Sequence, residues 1–215
     1  MRTEVETPSG TAWLDVDRPR GATAVLALGH GAGGGVDAPD LRAVRDAAVA
    51  AGIVVARVTQ PYRVAGRRAP APAPRLDEAW LAALAQLRRR RGFRALPLIV
   101  GGRSSGARVA CRTAAASGAA GVVALAFPVH PPGKPEKSRL DELDAPRVPV
   151  LVVQGDRDPF GMPPPAPGRT VVVLDGADHS LRTGTAQIAL AVVEFVAGLA
   201  PGTERRGSRP SAERR

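Results

Sequence analysis

A single cysteine, Cys111, in 215 residues excludes an internal disulfide framework and any multi-cysteine zinc site. Aromatic residues make up only 3% of the chain, too few to build a base-stacking surface. Lysine is almost absent: Lys134 and Lys137 stand among 30 basic residues, so the net charge of +10 is carried by arginine. Apolar runs stop far short of the ~20 residues that a membrane helix needs. The first residues hold no apolar stretch suited to a signal peptide, so a cytoplasmic location is expected.

The charge balance could suggest a nucleic-acid partner, but its distribution argues against one. Five arginines fall in the last eleven residues, and Arg88, Arg89, Arg90 and Arg91 close a helical pattern before Gly92. The size suits one domain, expected over residues 1–201. Residues 202–215 are polar and basic without apolar period, and are expected to be a disordered tail.

Short apolar runs alternate with helix-period segments. Residues 11–16, 22–28, 53–58, 97–100, 122–127, 148–153 and 170–174 read as strands. Leu76, Trp80, Leu84 and Leu87 form one helical stripe; Ile188, Val192, Phe195 and Leu199 form another. Asp40 reads as the N-cap of a helix carrying Leu41, Val44 and Ala48, which Gly52 ends. Continuously apolar strands separated by helices predict an α/β domain, a mostly parallel sheet covered on both faces. One strand near the start should run antiparallel at one end. The proline-rich stretches at 70–74, 128–135 and 159–167 read as ordered loops. Only about twenty residues, 128–147, separate the fifth and sixth of these runs, too few for a cap domain.

The strand at 97–100 runs into Gly101-Gly102-Arg103-Ser104-Ser105-Gly106 and then a helix. Gly102-x-Ser104-x-Gly106 fits a nucleophile elbow, where a tight strand-to-helix turn exposes the serine. A serine hydroxyl needs a base, and the base needs an orienting carboxylate. Asp158 and His179 both follow later strands, in the order expected after the serine. Asp156 follows the same strand as Asp158, but is read as capping the turn through its own backbone. A strand also leads into Gly29-His30-Gly31-Ala32-Gly33-Gly34-Gly35. This loop can supply an oxyanion-hole N–H from Ala32, with Gly33 possible, joined by that of Ser105. No Lys-Ser/Thr follows these glycines, so a phosphate loop is not expected. His30 has no second ligand at metal spacing and reads as a loop-shaping residue; neither metal nor cofactor is expected. Tyr62 and His130 follow strands on the ligand side and are candidates to line a substrate pocket. Arg103, beside the nucleophile, could attract an acidic substrate, but is read in preference as a structural ion-pair residue; Cys111 reads as a small core residue.

With these features the chain resembles an α/β-hydrolase. Several stretches are similar to a small branch related to dienelactone hydrolases. They are Pro61-Tyr62 with Gly66-Arg67-Arg68, Gly102-Arg103-Ser104, the run from Phe127 to Pro135, and the run from Val153 to Gly161. That branch includes testis-expressed proteins and a subunit of the nonspecific-lethal histone acetyltransferase complex. Ser105 departs from it, standing where the branch has Met; a backbone N–H is unaffected by that change. The expected activity is hydrolysis of a small-molecule ester or thioester through an acyl-enzyme, with Ser104, His179 and Asp158 as triad. The rival reading is a catalytically silent interaction module of the same fold.

Overall fold

A computed structural model describes residues 2–200; the expected tail at 202–215 lies outside the described residues. The chain order is β1 (Arg2–Thr7), β2 (Gly10–Asp17), β3 (Ala24–Gly29), α1 (Pro39–Ala50), β4 (Ile53–Thr59), α2 (Pro61–Val64) and α3 (Ala73–Arg88). It continues with β5 (Leu98–Arg103), α4 (Ser105–Ser117), β6 (Gly121–Leu125), α5 (Leu140–Asp144), β7 (Val150–Gly155), β8 (Arg169–Leu174) and α6 (Thr185–Leu199). The strands form one eight-stranded sheet in the order β1-β2-β4-β3-β5-β6-β7-β8.

All the apolar runs are strands, and β3, β4, β6 and β7 are buried throughout, as parallel strands covered on both faces must be. One face packs Leu41, Val44 and Ala48 of α1 against Ile188, Val192 and Val196 of α6. The other face carries Leu76, Trp80, Leu84 and Leu87 of α3 together with α4. Cys111 is buried in that second core, and burial pushes its thiol up to about 12, far from a reactive thiolate. The connection from β6 to β7 holds only the five-residue α5, and no cap is inserted there.

Three expectations change. The antiparallel strand, β2, is not at the edge, because β1 lies outside it and pairs with it antiparallel. β1 escapes sequence reading because only Val5 of its six residues is buried. The prolines at 72 and 74 are not all loop, since Pro72 caps α3 and Pro74 fits its first turn, where no intrahelical N–H is lost. Asp40 is not a cap: Ala38 holds that position, no side-chain cap bond forms, and Asp40 is fully buried inside the first turn.

α5 is tied down by charge. Arg108 donates to both Glu142 oxygens at 2.7 and 2.6 Å, and Arg112 adds a bond at 3.1 Å while also holding Asp77. Burial pushes the Glu142 carboxyl up, but the two arginines outweigh it and hold it below its ordinary range. A depressed carboxylate contributes stability that is present above its unfolded value and lost as pH falls through the folded one. Glu142→Gln should therefore cost about 1 kcal/mol at pH 7. The gap to the parent should close below pH of about 4. Urea melts of both proteins at the two pH values check this.

Candidate active site

The strand order reverses at β3 and β5. The chain leaves β3 towards α1 on one face, and leaves β5 into α4 on the other. Adjacent parallel strands whose connections diverge leave a crevice at their C-terminal ends. The glycine loop after β3 and the turn at Ser104 open into that crevice.

Close backbone approach demands the glycines of the turn. A Cβ on Gly106 would lie 2.5 Å from the carbonyl carbon and oxygen of Gly29, and one on Gly102 2.4 Å from the same oxygen. Ser104 itself has φ 52°, ψ −108°, a strained conformation for a residue with a side chain. It is held there by its N–H, which donates to Leu125 O at 2.9 Å, and by its carbonyl, which accepts from Arg108 N.

The loops after β7 and β8 meet through another glycine. A Cβ on Gly155 would lie 2.2 Å from Ala177 O, so the loop carrying His179 rests directly on the end of β7. Asp156 N–H donates to Leu174 O and Arg157 N–H to Ala177 O, locking the two loops in register. The result is a continuous chain of hydrogen bonds. His179 Nε2 is 2.9 Å from Ser104 Oγ, and Nδ1 is 2.8 Å from Asp158 Oδ2. With Asp158 ionised, Nδ1 carries the proton and Nε2 is free to accept one from the serine. Asp158 is buried and also accepts from Gln154 Nε2 at 2.8 Å and Phe160 N–H at 2.9 Å. The Phe160 ring meets the imidazole edge-on, centroids 4.2 Å apart.

Asp156 is exposed and makes no side-chain hydrogen bond; the turn contact expected of it is made instead by Asp158 on Phe160 N–H. The reason is geometric: only the residue three past Gly155 curls back under the histidine loop, with its N–H on Gly155 O.

The glycine loop is pinned from behind. His30 is buried, its Nδ1–H donates to Gly31 O at 2.8 Å, and its Nε2 accepts from Gln60 N–H at 3.0 Å. Burial lowers its pKa, matching a neutral ring that needs one donor and one acceptor. The Tyr62 hydroxyl donates to Ala32 O at 2.7 Å. Each carbonyl shares a planar trans peptide with the next N–H, so these bonds aim the N–H groups of Ala32 and Gly33 the opposite way. Neither N–H has a protein acceptor, nor has that of Ser105 at the start of α4. Gly31 packs against the serine, since a Cβ there would be 3.8 Å from Ser104 Cβ.

Residues 22–188 match the alpha/beta hydrolase domain family. The chain belongs to that family. Among solved structures, this hydrolase is similar to the serine hydrolase XC6422 of Xanthomonas campestris, described as lacking a lid. Identity is 21%, coverage 94% of this chain and 96% of that one, and the TM-score 0.78. Est1E of Butyrivibrio proteoclasticus shares 15% identity over 92% and 98%, TM-score 0.74. A dienelactone hydrolase of Anabaena variabilis shares 18% over 93% and 97%, TM-score 0.72. At these identities the likeness establishes the fold. No curated protein sequence matches the chain significantly.

The two pocket candidates stand differently towards the serine. Tyr62 is buried behind the glycine loop; it lines a cavity of about 270 Å³ with Gln60, Val64, Arg67, Arg75 and Leu76, away from Ser104 and His179, and also a narrow pocket with Gly29, His30, Trp80, Ser105 and Gly106 beside the nucleophile turn. His130 bonds to Pro131 O through Nδ1 at 3.0 Å, lies against Gly161, and donates its backbone N–H to Phe160 O at 3.3 Å. It makes no hydrogen bond to Ser104 or His179. Sequence reasoning assigned no role to Gln154, the bond partner of Asp158, and gave Asp40 only that of a helix cap. A polar residue closing the apolar run at 150–153 was the available signal for Gln154. Among the described residues no group of His, Cys, Asp and Glu is placed to hold a metal ion, and no helix is long and apolar enough to cross a membrane.

Proposed function

We propose that the protein is a serine esterase or thioesterase acting through an acyl-enzyme on a small molecule. The observation that carries this is the Ser104–His179–Asp158 hydrogen-bond chain above a strained turn. Ser104 Oγ attacks the acyl carbonyl while His179 Nε2 takes its proton; the imidazolium then protonates the leaving oxygen or sulfur. Water then attacks the acyl carbon as His179 takes its proton, the bond between that carbon and Ser104 Oγ breaks, and His179 returns the proton to Ser104 as the acid leaves. Asp158 holds the productive tautomer and offsets the imidazolium charge. The N–H groups of Ala32 and Ser105 bind the oxyanion, with Gly33 as a further donor. Tyr62 serves this site by supporting the loop, and His130 by lining its rim. The single domain spans residues 1–201, works in the cytoplasm, and is related to the dienelactone-hydrolase branch with its testis-expressed and nonspecific-lethal complex members.

A fluorophosphonate probe tests the reading. Folded protein at pH 8 should become labelled on the peptide carrying Ser104, as read by mass spectrometry. Absence of labelling would favour the silent interaction module. Tyr62→Phe, which frees the Ala32 carbonyl, should lower kcat on a p-nitrophenyl ester by about tenfold while changing KM little, as loss of transition-state orientation does. A rise confined to KM, with kcat unchanged, would return Tyr62 to the substrate pocket.

A further inference from the structure

Arg103 precedes Ser104, and its guanidinium lies among the loops that border the crevice. Nη2 donates to the backbone carbonyl of His179 at 2.9 Å. Nε lies 3.3 Å from Asp40 Oδ2, and a Cβ on Gly31 would be 3.5 Å from Nη1. One guanidinium thus touches three elements: the histidine loop, the start of α1 and the glycine loop. Its partner is unusual. The Asp40 side chain is fully buried; neither of its oxygens, nor Nε of Arg103, makes a hydrogen bond of good geometry, although the N–H groups of Asp40 and Leu41 at the helix start help to stabilise the carboxylate. A buried carboxylate held by a single cation, its oxygens only loosely satisfied, stabilises a fold weakly. A role in packing alone would be better served by an apolar residue.

We infer that Arg103 and Asp40 form a net-neutral clamp that positions His179 on the nucleophile, Arg103 gripping the histidine's carbonyl and Asp40 cancelling the charge this brings behind the imidazole. The inference rests on the proposed role of His179 as the base. Arg103 reaches His179 from β5, and Asp40 from α1. Asp158 bonds the ring itself from the loop after β7. Asp178 and Arg182 belong to the histidine's own loop; Asp178 is exposed and held below its ordinary range by the Ser180 hydroxyl and N–H. His130 lies against Gly161 and is turned to Pro131 O. Burial raises the Asp40 carboxyl, Arg103 pulls it back, and His179 is also electrostatically coupled to it. Two opposite charges therefore bear on the imidazole from one side, and removing either exposes it to the other.

The test follows the protonation of His179 by NMR, a readout that needs no turnover. The three histidine signals are assigned by the loss of one in His179→Gln. Arg103→Met removes the cation, so the midpoint of His179 should move upward by on the order of one pH unit. Asp40→Asn leaves the cation uncompensated, and the midpoint should move downward by a similar amount. The double variant should return close to the parent. Arg103→Lys keeps the charge without the planar fork. It should retain the parent midpoint, yet lose about tenfold in kcat at unchanged KM, because the carbonyl grip is loosened.

Opposite shifts in the single variants support the clamp. Shifts of the same sign, or none, overturn it. Should Arg103→Met fail to fold, a downward shift in Asp40→Asn with none in Arg103→Lys carries the proposal, and any other pairing ends it. Fluorophosphonate labelling of the parent separates the two failures: an unlabelled parent refutes the hydrolase reading, whereas a labelled parent with unshifted variants refutes only the clamp.

Discussion

Asp158→Asn is expected to lower kcat/KM on a p-nitrophenyl acyl ester by on the order of 10³–10⁴, close to the floor set by Ser104→Ala. The amide keeps the shape of the carboxylate but presents an NH₂ to one of its neighbours. His179 Nδ1 and Gln154 Nε2 both point at Oδ2, and Phe160 N–H points at Oδ1. All three are donors, so an amide nitrogen must face one of them. Turning it to His179 forces the proton to Nε2, which then cannot accept from Ser104. Asp156→Asn, at an exposed side chain without partners, should leave kcat/KM within about twofold and stability within about 0.5 kcal/mol. Steady-state kinetics on the two folded variants decide between the carboxylates. A larger loss at position 156 would overturn the assignment.

Gly106→Ala should destabilise the protein by about 3 kcal/mol and lower the turnover of what remains folded by about 100-fold. The added carbon would lie 2.5 Å from Gly29 C and O and 3.0 Å from its Cα. None of these atoms belongs to a flexible side chain, so β3 and α4 must separate. That movement displaces Ser105 N–H and the glycine loop together, the two sides of the proposed oxyanion site. Gly198→Ala in α6 makes the contrast, because nothing lies within 4 Å of the added carbon and φ is not positive. Relieving the entropy cost of a helical glycine should stabilise by about 0.5 kcal/mol. Thermal melts of both variants, with kinetics on the first, check the pair.

Continuity of apolar residues made β3 to β7 legible, because strands covered on both faces carry no alternation to misread. The elbow was legible for a related reason: two glycines flank Ser104 where a buried strand passes into a helix, and steric demand limits what else could stand there. β1 was not, since an edge strand with one buried residue of six looks like coil. Asp40 misled because a carboxylate at a helix start caps an exposed end, and nothing local tells that this end is buried against Arg103.

By itself, then, the chain determined the sheet, the turn at Ser104, and the order in which serine, carboxylate and histidine follow their strands. These depend on near neighbours, on apolar continuity and on backbone room, all of which are local properties. The tertiary structure decided which of two aspartates meets the histidine, since that depends on Gly155 letting the loop of Ala177 rest on β7. It also decided that Tyr62 joins the loop-shaping His30 in holding the glycine loop, and that Arg103 spends its structural contacts on the histidine's carbonyl and Asp40. Those partners lie 30 or 76 residues apart, or fall one peptide beyond the residue that matters, and only packing brings them within a hydrogen bond.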